Sequence, residues 1–84
     1  MKIVVNRPFG GFRLPDAFCL AHNIEFKYDQ DWRYDQDLIN WVETHNDSAL
    51  SVTSIPDEAT DYFINEYDGA EEVVYVLDGK LCWA

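Results

Sequence analysis

Eighty-four residues with sixteen acidic and six basic side chains give a short chain of formal net charge −10. This length allows a single domain, 1–84, and the charge excludes a broad basic surface for direct nucleic-acid binding, because binding to phosphates requires clustered Lys and Arg. Anionic membrane surfaces are disfavoured for the same reason. Hydrophobic residues make up 48% of the chain and include three Trp, five Tyr and five Phe, so we expect a folded core rather than a disordered chain.

The charge is distributed unevenly along the chain. Residues 1–27 carry four basic and two acidic side chains, whereas residues 28–84 carry two basic and fourteen acidic ones. No apolar run is long enough to span a membrane, and the N-terminus lacks the basic and apolar regions of a signal peptide. We therefore expect a cytoplasmic protein without membrane contact.

The first part of the chain predicts a strand, a glycine loop and a helix. Lys2–Arg7 is rich in β-branched residues, and Pro8 ends this strand. Residues 9–12, Phe-Gly-Gly-Phe, predict a loop whose glycines can adopt positive φ. Pro15 favours the first turn of a helix, in which apolar residues recur at helical spacing to about His22.

The middle of the chain contains the tetrapeptide Tyr-Asp-Gln-Asp twice, at 28–31 and 34–37. The first copy predicts an acidic loop that follows a brief alternating strand over 24–28. The second copy predicts the start of a helix, capped by Asp35, that runs to about His45 and is ended by Asn46-Asp47. The apolar stripe of this helix is expected to consist of Leu38, Ile39, Trp41, Val42 and His45.

The remainder of the chain predicts an antiparallel sheet. Strands are expected at 49–55, 62–64, 72–77 and 80–83. Asp78-Gly79 is a strong hairpin turn signal that pairs Leu77 with Lys80 and Val74 with Trp83. The core side of this hairpin is expected to consist of Val74, Val76, Leu81 and Trp83. The predicted fold class is α+β, an antiparallel sheet of four to five strands with two short helices packed on one face and a C-terminal β-hairpin.

Residues that could carry chemistry are few and widely separated. Cys19 and His22 share a helical face, but a structural zinc site needs four ligands, which would have to include His45 and Cys82. Both cysteines are interpreted as reduced, packed thiols, and we expect no metal, no cofactor and no catalytic residue. The alternative is a small hydrolase or nucleotide-binding enzyme, which would require an enclosed pocket near Phe9–Arg13 or near the two histidines.

Two segments are candidate binding surfaces. The first, here called the Arg/Phe loop, combines residue types that are enriched at protein interfaces: Arg7, Phe9, Phe12 and Arg13. The second, here called the acidic segment, consists of Asp29, Asp31, Asp35 and Asp37. Its carboxylates either solvate the surface or stand in for nucleic-acid phosphates in the groove of a basic partner.

Two stretches carry a family resemblance. Lys-Ile-Val-Val-Asn-Arg at 2–7 with Phe-Gly-Gly-Phe at 9–12, and Ile-Pro-Asp at 55–57 with Ile-Asn-Glu-Tyr-Asp-Gly-Ala-Glu at 64–71, resemble a family of small uncharacterised proteins of bacteriophages and prophages. The helix over 35–43 is similar to its counterpart in that family. The resemblance implies an accessory protein in the cytoplasm of a bacterial host, and it implies no catalytic residue.

The sequence as a whole favours a small, non-catalytic protein that binds and occludes a host protein. The host component is expected to belong to a defence system, as for anti-CRISPR-like nucleic-acid mimics, or to handle nucleic acid. A basic nucleic-acid-binding protein is one form of this partner. Separately, a homodimer of the chain is an open alternative. The small enzyme described above is the alternative.

Overall fold

The computed structural model describes residues 1–45 and 49–84 of the chain. The helices are α1 (Asp16–His22), a 3-10 helix (Gln30–Tyr34) and α2 (Gln36–Thr44). The strands are β1 (Lys2–Asn6), β2 (Leu50–Ser54), β3 (Asp61–Tyr67), β4 (Ala70–Leu77) and β5 (Lys80–Trp83). The α+β class, the five antiparallel strands and the C-terminal hairpin are confirmed. The expected helix end at Asn46-Asp47 lies outside the described residues.

The five strands divide into two sheets. One sheet contains β1 and β2, and the other has the order β3-β4-β5, with every neighbouring pair antiparallel. The helical layer packs on the two-stranded sheet, since α2 contacts both β1 and β2. The two-stranded sheet therefore lies between the helices and the three-stranded sheet.

The sequence of β1 explains this layering. Successive strand side chains point to opposite faces, and Ile3, Val4 and Val5 are all fully buried. Val4 packs into the core beneath the helices, together with Phe18 and other buried residues. Ile3 and Val5 pack in a second core with Val73 of β4. An uninterrupted apolar run is thus required, because both faces of β1 are covered.

The register predicted for the C-terminal hairpin is confirmed, but of its predicted core side only Val74 is fully buried. Leu77 pairs with Lys80 and Val74 with Trp83, yet Leu81 and Trp83 are 64% and 61% exposed. The face that packs against β1 carries Val73 instead. The sequence did not reveal the second sheet, which decides which face of the hairpin is covered.

The repeated tetrapeptide forms two helix starts, one for each copy. Asp29 Oδ1 accepts a hydrogen bond from the Asp31 amide at 3.0 Å, and Asp35 Oδ1 accepts one from the Asp37 amide at 2.9 Å. Both capping residues are extended, and their oxygens satisfy amides that lack a partner within the helix. The second prediction is confirmed, whereas the first copy begins the 3-10 helix rather than remaining a loop.

The brief strand predicted over 24–28 is absent from the structure. This segment instead follows α1 and is fixed to its start: the Leu14 amide donates to the Lys27 carbonyl at 2.8 Å. The Lys27 ammonium donates to Asp16 Oδ1 at 2.6 Å, which holds the pKa of Asp16 below its usual value. Alternation of side chains does not produce a strand here, because no described strand lies beside this segment.

We expect the Asp35→Ala substitution to lower the free energy of unfolding by about 1 kcal/mol, because it removes the N-cap of α2. Urea denaturation followed by circular dichroism measures this change. Asp37→Ala is the matched control, since the Asp37 side chain is exposed and makes no capping contact. Equal losses in the two variants would contradict a capping role for Asp35.

Candidate functional site

A buried ion pair lies where the 3-10 helix, β1 and β4 meet. Arg33 and Glu71 have side chains that are only 4% and 7% exposed. Arg33 Nη1 donates to Glu71 Oε1 at 2.9 Å, and Arg33 Nη2 donates to Glu71 Oε2 at 2.6 Å. This fork-to-fork geometry is the strongest form of Arg–carboxylate contact. The pair ties the 3-10 helix to the three-stranded sheet.

The remaining polar atoms of the ion pair are also satisfied. Arg33 Nε donates to the Gln30 side chain at 2.7 Å, and Nη1 also donates to the Val4 carbonyl at 3.0 Å. Glu71 Oε1 accepts from the Asn6 amide at 2.8 Å. Among the described residues, no buried side-chain nitrogen or oxygen lacks a hydrogen-bond partner. These contacts give the pair a structural role in the fold.

The glycine loop packs directly against the turn between β3 and β4. The Gly10 amide donates to the Asp68 carbonyl at 3.0 Å, and Asn6 Nδ2 donates to the Gly69 carbonyl at 2.9 Å. A Cβ atom at Gly69 would lie only 2.1 Å from the Gly11 nitrogen. The N-terminal stretch over 6–11 and the β3–β4 turn therefore contact each other in space, beside the buried ion pair.

The structure separates the members of the Arg/Phe loop. Phe12 is buried, and its ring lies beneath the Arg33 guanidinium at 4.1 Å from the ring centroid. Phe9 is 70% exposed and contacts Tyr67 edge-on. Arg13 is also exposed and lies 3.7 Å from Asp16. Phe12 thus belongs to the core, and the other members do not form one contiguous cluster with it.

Arg7, the fourth member, is exposed and donates through Nη2 to Thr53 Oγ1 at 2.7 Å. An open cleft of about 380 Å³ borders the same loop. It is lined by Asn6, Phe9, Gly10, Gly11, Arg13, Leu14, Pro15, Ala49 and Leu50. Among the described residues of this lining, Arg13 is the one with a charged side chain.

The acidic segment divides into two capping carboxylates and two that are free of helix capping. Asp29 and Asp35 are half-buried and hold the helix starts described above, whereas Asp31 and Asp37 are exposed. None of the four lies in an ion pair within the described residues. Capping hydrogen bonds hold the carboxylates of Asp29 and Asp35 in place, and the helix starts fix the backbone that carries Asp31 and Asp37.

Most acidic side chains of the described residues have no cationic partner. Of fifteen such side chains, four form ion pairs, namely Asp16, Glu43, Asp57 and Glu71. The other eleven are Glu25, Asp29, Asp31, Asp35, Asp37, Glu58, Asp61, Glu66, Asp68, Glu72 and Asp78. Of the six basic side chains, Arg7 and Lys80 alone lie outside an ion pair in this part of the chain. The surface charge is therefore largely uncompensated.

The two histidines lie at the outer edge of the helical layer. His22 packs on Phe18 with ring centroids 4.3 Å apart, and His45 stacks on Trp41 at 4.0 Å. Both are exposed, so the prediction that His45 belongs to the apolar stripe of α2 is wrong. Stacking on Trp41 from beyond the end of α2 keeps the His45 ring at the surface.

No group of three or more His, Cys, Asp or Glu within residues 1–45 and 49–84 is arranged to hold a metal ion. Both cysteines are free, with Cys19 buried and Cys82 half-buried. None of the helices described here has the length and apolar character needed to cross a membrane.

Tyr62 joins the 3-10 helix to the three-stranded sheet through its contact with Tyr34, at 6.3 Å between ring centroids. Burial, followed by the interaction with the Tyr34 hydroxyl and the nearby Asp61 carboxylate, raises the pKa of Tyr62 to about 12. The phenol is therefore neutral at physiological pH.

Comparisons of the chain with protein-family models, curated proteins and solved structures found no match. The residues discussed below are therefore assigned from the geometry of this chain alone.

Sequence reasoning missed Arg33, Glu71 and Gly69. A signal for Arg33 was present, because it is the single basic residue between Lys27 and Lys80. An isolated base in such an acidic stretch favours a specific ionic partner. Nothing in the sequence identified which of the many carboxylates that partner is.

Proposed function

We propose that this chain is a non-catalytic accessory protein that binds a basic, nucleic-acid-binding protein of a bacterial host and occludes its nucleic-acid surface. The observation that carries this proposal is the set of eleven carboxylates without ion pairs, against two unpaired bases, in the described residues. Uncompensated charge of one sign attracts a partner of the opposite sign and speeds its association.

The acidic segment supports the mimic form of this proposal. Its two halves have the same local structure, because Asp29 and Asp35 each cap a helix from a similar extended conformation. Asp31 and Asp37 then follow at equivalent positions in the first helical turns. Carboxylates repeated at an interval of six residues along this backbone are suited to replace phosphates in a groove lined by Lys and Arg.

The family resemblance supports the biological setting of the proposal. Small acidic proteins of bacteriophages and prophages act on host machinery or host defence, and the proposed partner belongs to that class of bacterial proteins. The compartment that we propose for this interaction is the bacterial cytoplasm.

Neutralising the acidic segment is expected to weaken partner binding at least tenfold at low salt. The variant carries Asp29→Asn, Asp31→Asn, Asp35→Asn and Asp37→Asn. Asn is as good an N-cap as Asp, so the helices are expected to remain folded. The measurement is the dissociation constant for a host protein retained from bacterial lysate, titrated from about 50 to about 300 mM NaCl, over which the wild type should weaken steeply.

The matched control removes the same number of charges elsewhere. It carries Glu25→Gln, Glu58→Gln, Asp68→Asn and Asp78→Asn, all at exposed residues that form no ion pair with the part of the chain that the structure describes. Asp68 and Asp78 have positive φ, which Asn tolerates. We expect this control to lose several-fold less affinity. An affinity that does not change with salt, or equal losses in both variants, would contradict the mimic.

A further inference from the structure

The three-stranded sheet has one face that no other described element covers. Its inner face packs on β1, while the opposite face carries Phe63, Val74, Val76, Leu81 and Trp83. These five residues are here called the outer face. They lie in two adjacent rows across the strands. One row is Phe63, Val74 and Trp83, and the other contains Val76 and Leu81.

Side chains of the outer face shield one another without belonging to either core. Val74 is fully buried, yet it is a member of neither core cluster. Phe63 and Trp83 flank it on the two neighbouring strands and remain 50% and 61% exposed. With Leu81 at 64% exposed, three large apolar side chains surround one buried residue. An aromatic centre of this kind is typical of interface hot spots.

The charges on this face all have one sign. Asp61 pairs with Val76 at one end of the face, and Glu72 lies beside the Phe63–Val74 row at the other end. Neither carboxylate has an ion-pair partner in the described residues. Lys80 points to the other face, because side chains alternate along β5. The outer face is therefore apolar at its centre and acidic at its rim.

The geometry points to the outer face as the docking surface for a protein partner with an apolar centre and a basic rim. This inference rests on the proposed function and identifies the surface that anchors the same basic partner. The rim carboxylates of the outer face supply charge, and its centre supplies apolar burial, which fixes the orientation of the partner and slows its release.

Area and charge favour a basic partner over a second copy of the chain. Phe63, Leu81 and Trp83 each expose half or more of a side-chain surface of about 200 Å². Together they leave roughly 300 Å² of apolar surface uncovered. A stable interface needs about 800 Å² from each partner, so the acidic rim must also take part. In a symmetric dimer, the acidic rim of one copy would face the acidic rim of the other and be repelled by it. Each chain also carries a net charge of −10. Against a basic rim, the same contacts are attractive.

The test uses a synthetic amphipathic peptide with one Leu face and one Lys face as a probe of this chemistry. Titrated into the isotope-labelled full chain, it is expected to shift the amide signals of Val74, Leu81 and Trp83 most strongly. In the Phe63→Ser/Trp83→Ser variant, its dissociation constant should rise at least tenfold. Phe26→Ser is the matched control, because Phe26 is an exposed aromatic residue outside the sheet. This variant should bind the peptide as tightly as the wild type does.

Three results would overturn the inference. The first is a peptide whose largest shifts lie in the acidic segment, and the second is unchanged affinity in the double variant. The third is a wild-type dimer in sedimentation equilibrium that the double variant loses, since a second copy then occupies the face. If the double variant is not folded by circular dichroism, Leu81→Ser replaces it, with an expected loss of at least threefold.

Retention from bacterial lysate separates this inference from the proposed function. If the wild type retains a basic protein and the Phe63→Ser/Trp83→Ser variant does not, both stand. If the wild type and the Phe63→Ser/Trp83→Ser variant retain the basic protein equally, the outer face is not the docking surface, and the proposed function stands. If the wild type retains no protein at low salt, the proposed function fails, and the inference fails with it.

Discussion

Replacing Arg33 by Ala is expected to lower the free energy of unfolding by about 3–5 kcal/mol, because it leaves the buried Glu71 carboxylate without its partner. A domain of this size has a total stability of roughly 4–13 kcal/mol. The expected loss is therefore a large fraction of the total stability, and at the lower end of this range it approaches the whole of it. Urea denaturation of the wild type and the variant, followed by circular dichroism, measures the difference.

Two controls separate burial of the ion pair from loss of charge alone. Lys2→Ala breaks the ion pair of Lys2 with Glu43, in which both side chains are more than 40% exposed, and it should cost less than about 1 kcal/mol. The Arg33→Met/Glu71→Leu double variant removes both charges and should lose less stability than Arg33→Ala. If Arg33→Ala stays within about 0.5 kcal/mol of the wild type, the pair does not hold the layers together.

Replacing Gly69 by Ala is expected to destabilise the fold by about 3 kcal/mol or more, through backbone strain and overpacking together. Gly69 has φ +84°, and its Cβ would meet the backbone of Gly10 and Gly11 at 2.1 to 2.7 Å. Backbone atoms cannot rotate away as side chains do, so the glycine loop must separate from the β3–β4 turn. The measurement is again the free energy of unfolding in urea.

Gly79→Ala is the matched control for this substitution. Gly79 also has positive φ, at +75°, but nothing lies within 4 Å of its would-be Cβ. The Gly79→Ala variant should therefore lose only the free energy of unfolding that backbone strain costs, about 1–2 kcal/mol. The difference between the two variants measures the close contact of the loop and the turn. Equal losses would show that this contact contributes nothing to stability.

The elements of the fold were largely predictable, because their signals are local. The cap at Asp35, the turn at Asp78-Gly79 and the β-branched run at Lys2–Arg7 each act through neighbouring residues. The hairpin register followed from the turn alone. The split into two sheets was not predictable, since it depends on which element covers each face of β1.

The candidate site was predictable only in part, for the same reason. The acidic segment emerged from charge and spacing, although the structural use of Asp29 as a cap did not. Phe12 and Phe9 are indistinguishable in the sequence, yet one lies beneath the Arg33 guanidinium and the other is exposed. The sequence assigns four residues of the outer face to the core, because their alternation is identical to that of a buried strand: Val74, Val76, Leu81 and Trp83. Long-range packing, which no local pattern encodes, decides each of these cases.

The buried and the exposed features of the chain divide its physical roles. The Arg33–Glu71 pair and the packed glycines hold three layers in one arrangement, with their polar atoms satisfied inside the fold. The carboxylates of Asp31 and Asp37 and the exposed side chains of the outer face are left at the surface, where they cap no helix and belong to neither core. Groups of that kind are available for a partner.

Competition with nucleic acid tests the central claim most directly. A fluorescently labelled oligonucleotide is bound to the host protein retained from lysate, and the wild-type chain is added in increasing amounts. The proposal predicts that the oligonucleotide is released in proportion to the chain added, and that the variant with a neutralised acidic segment requires at least tenfold more. A ternary complex in which the oligonucleotide stays bound would contradict the proposal.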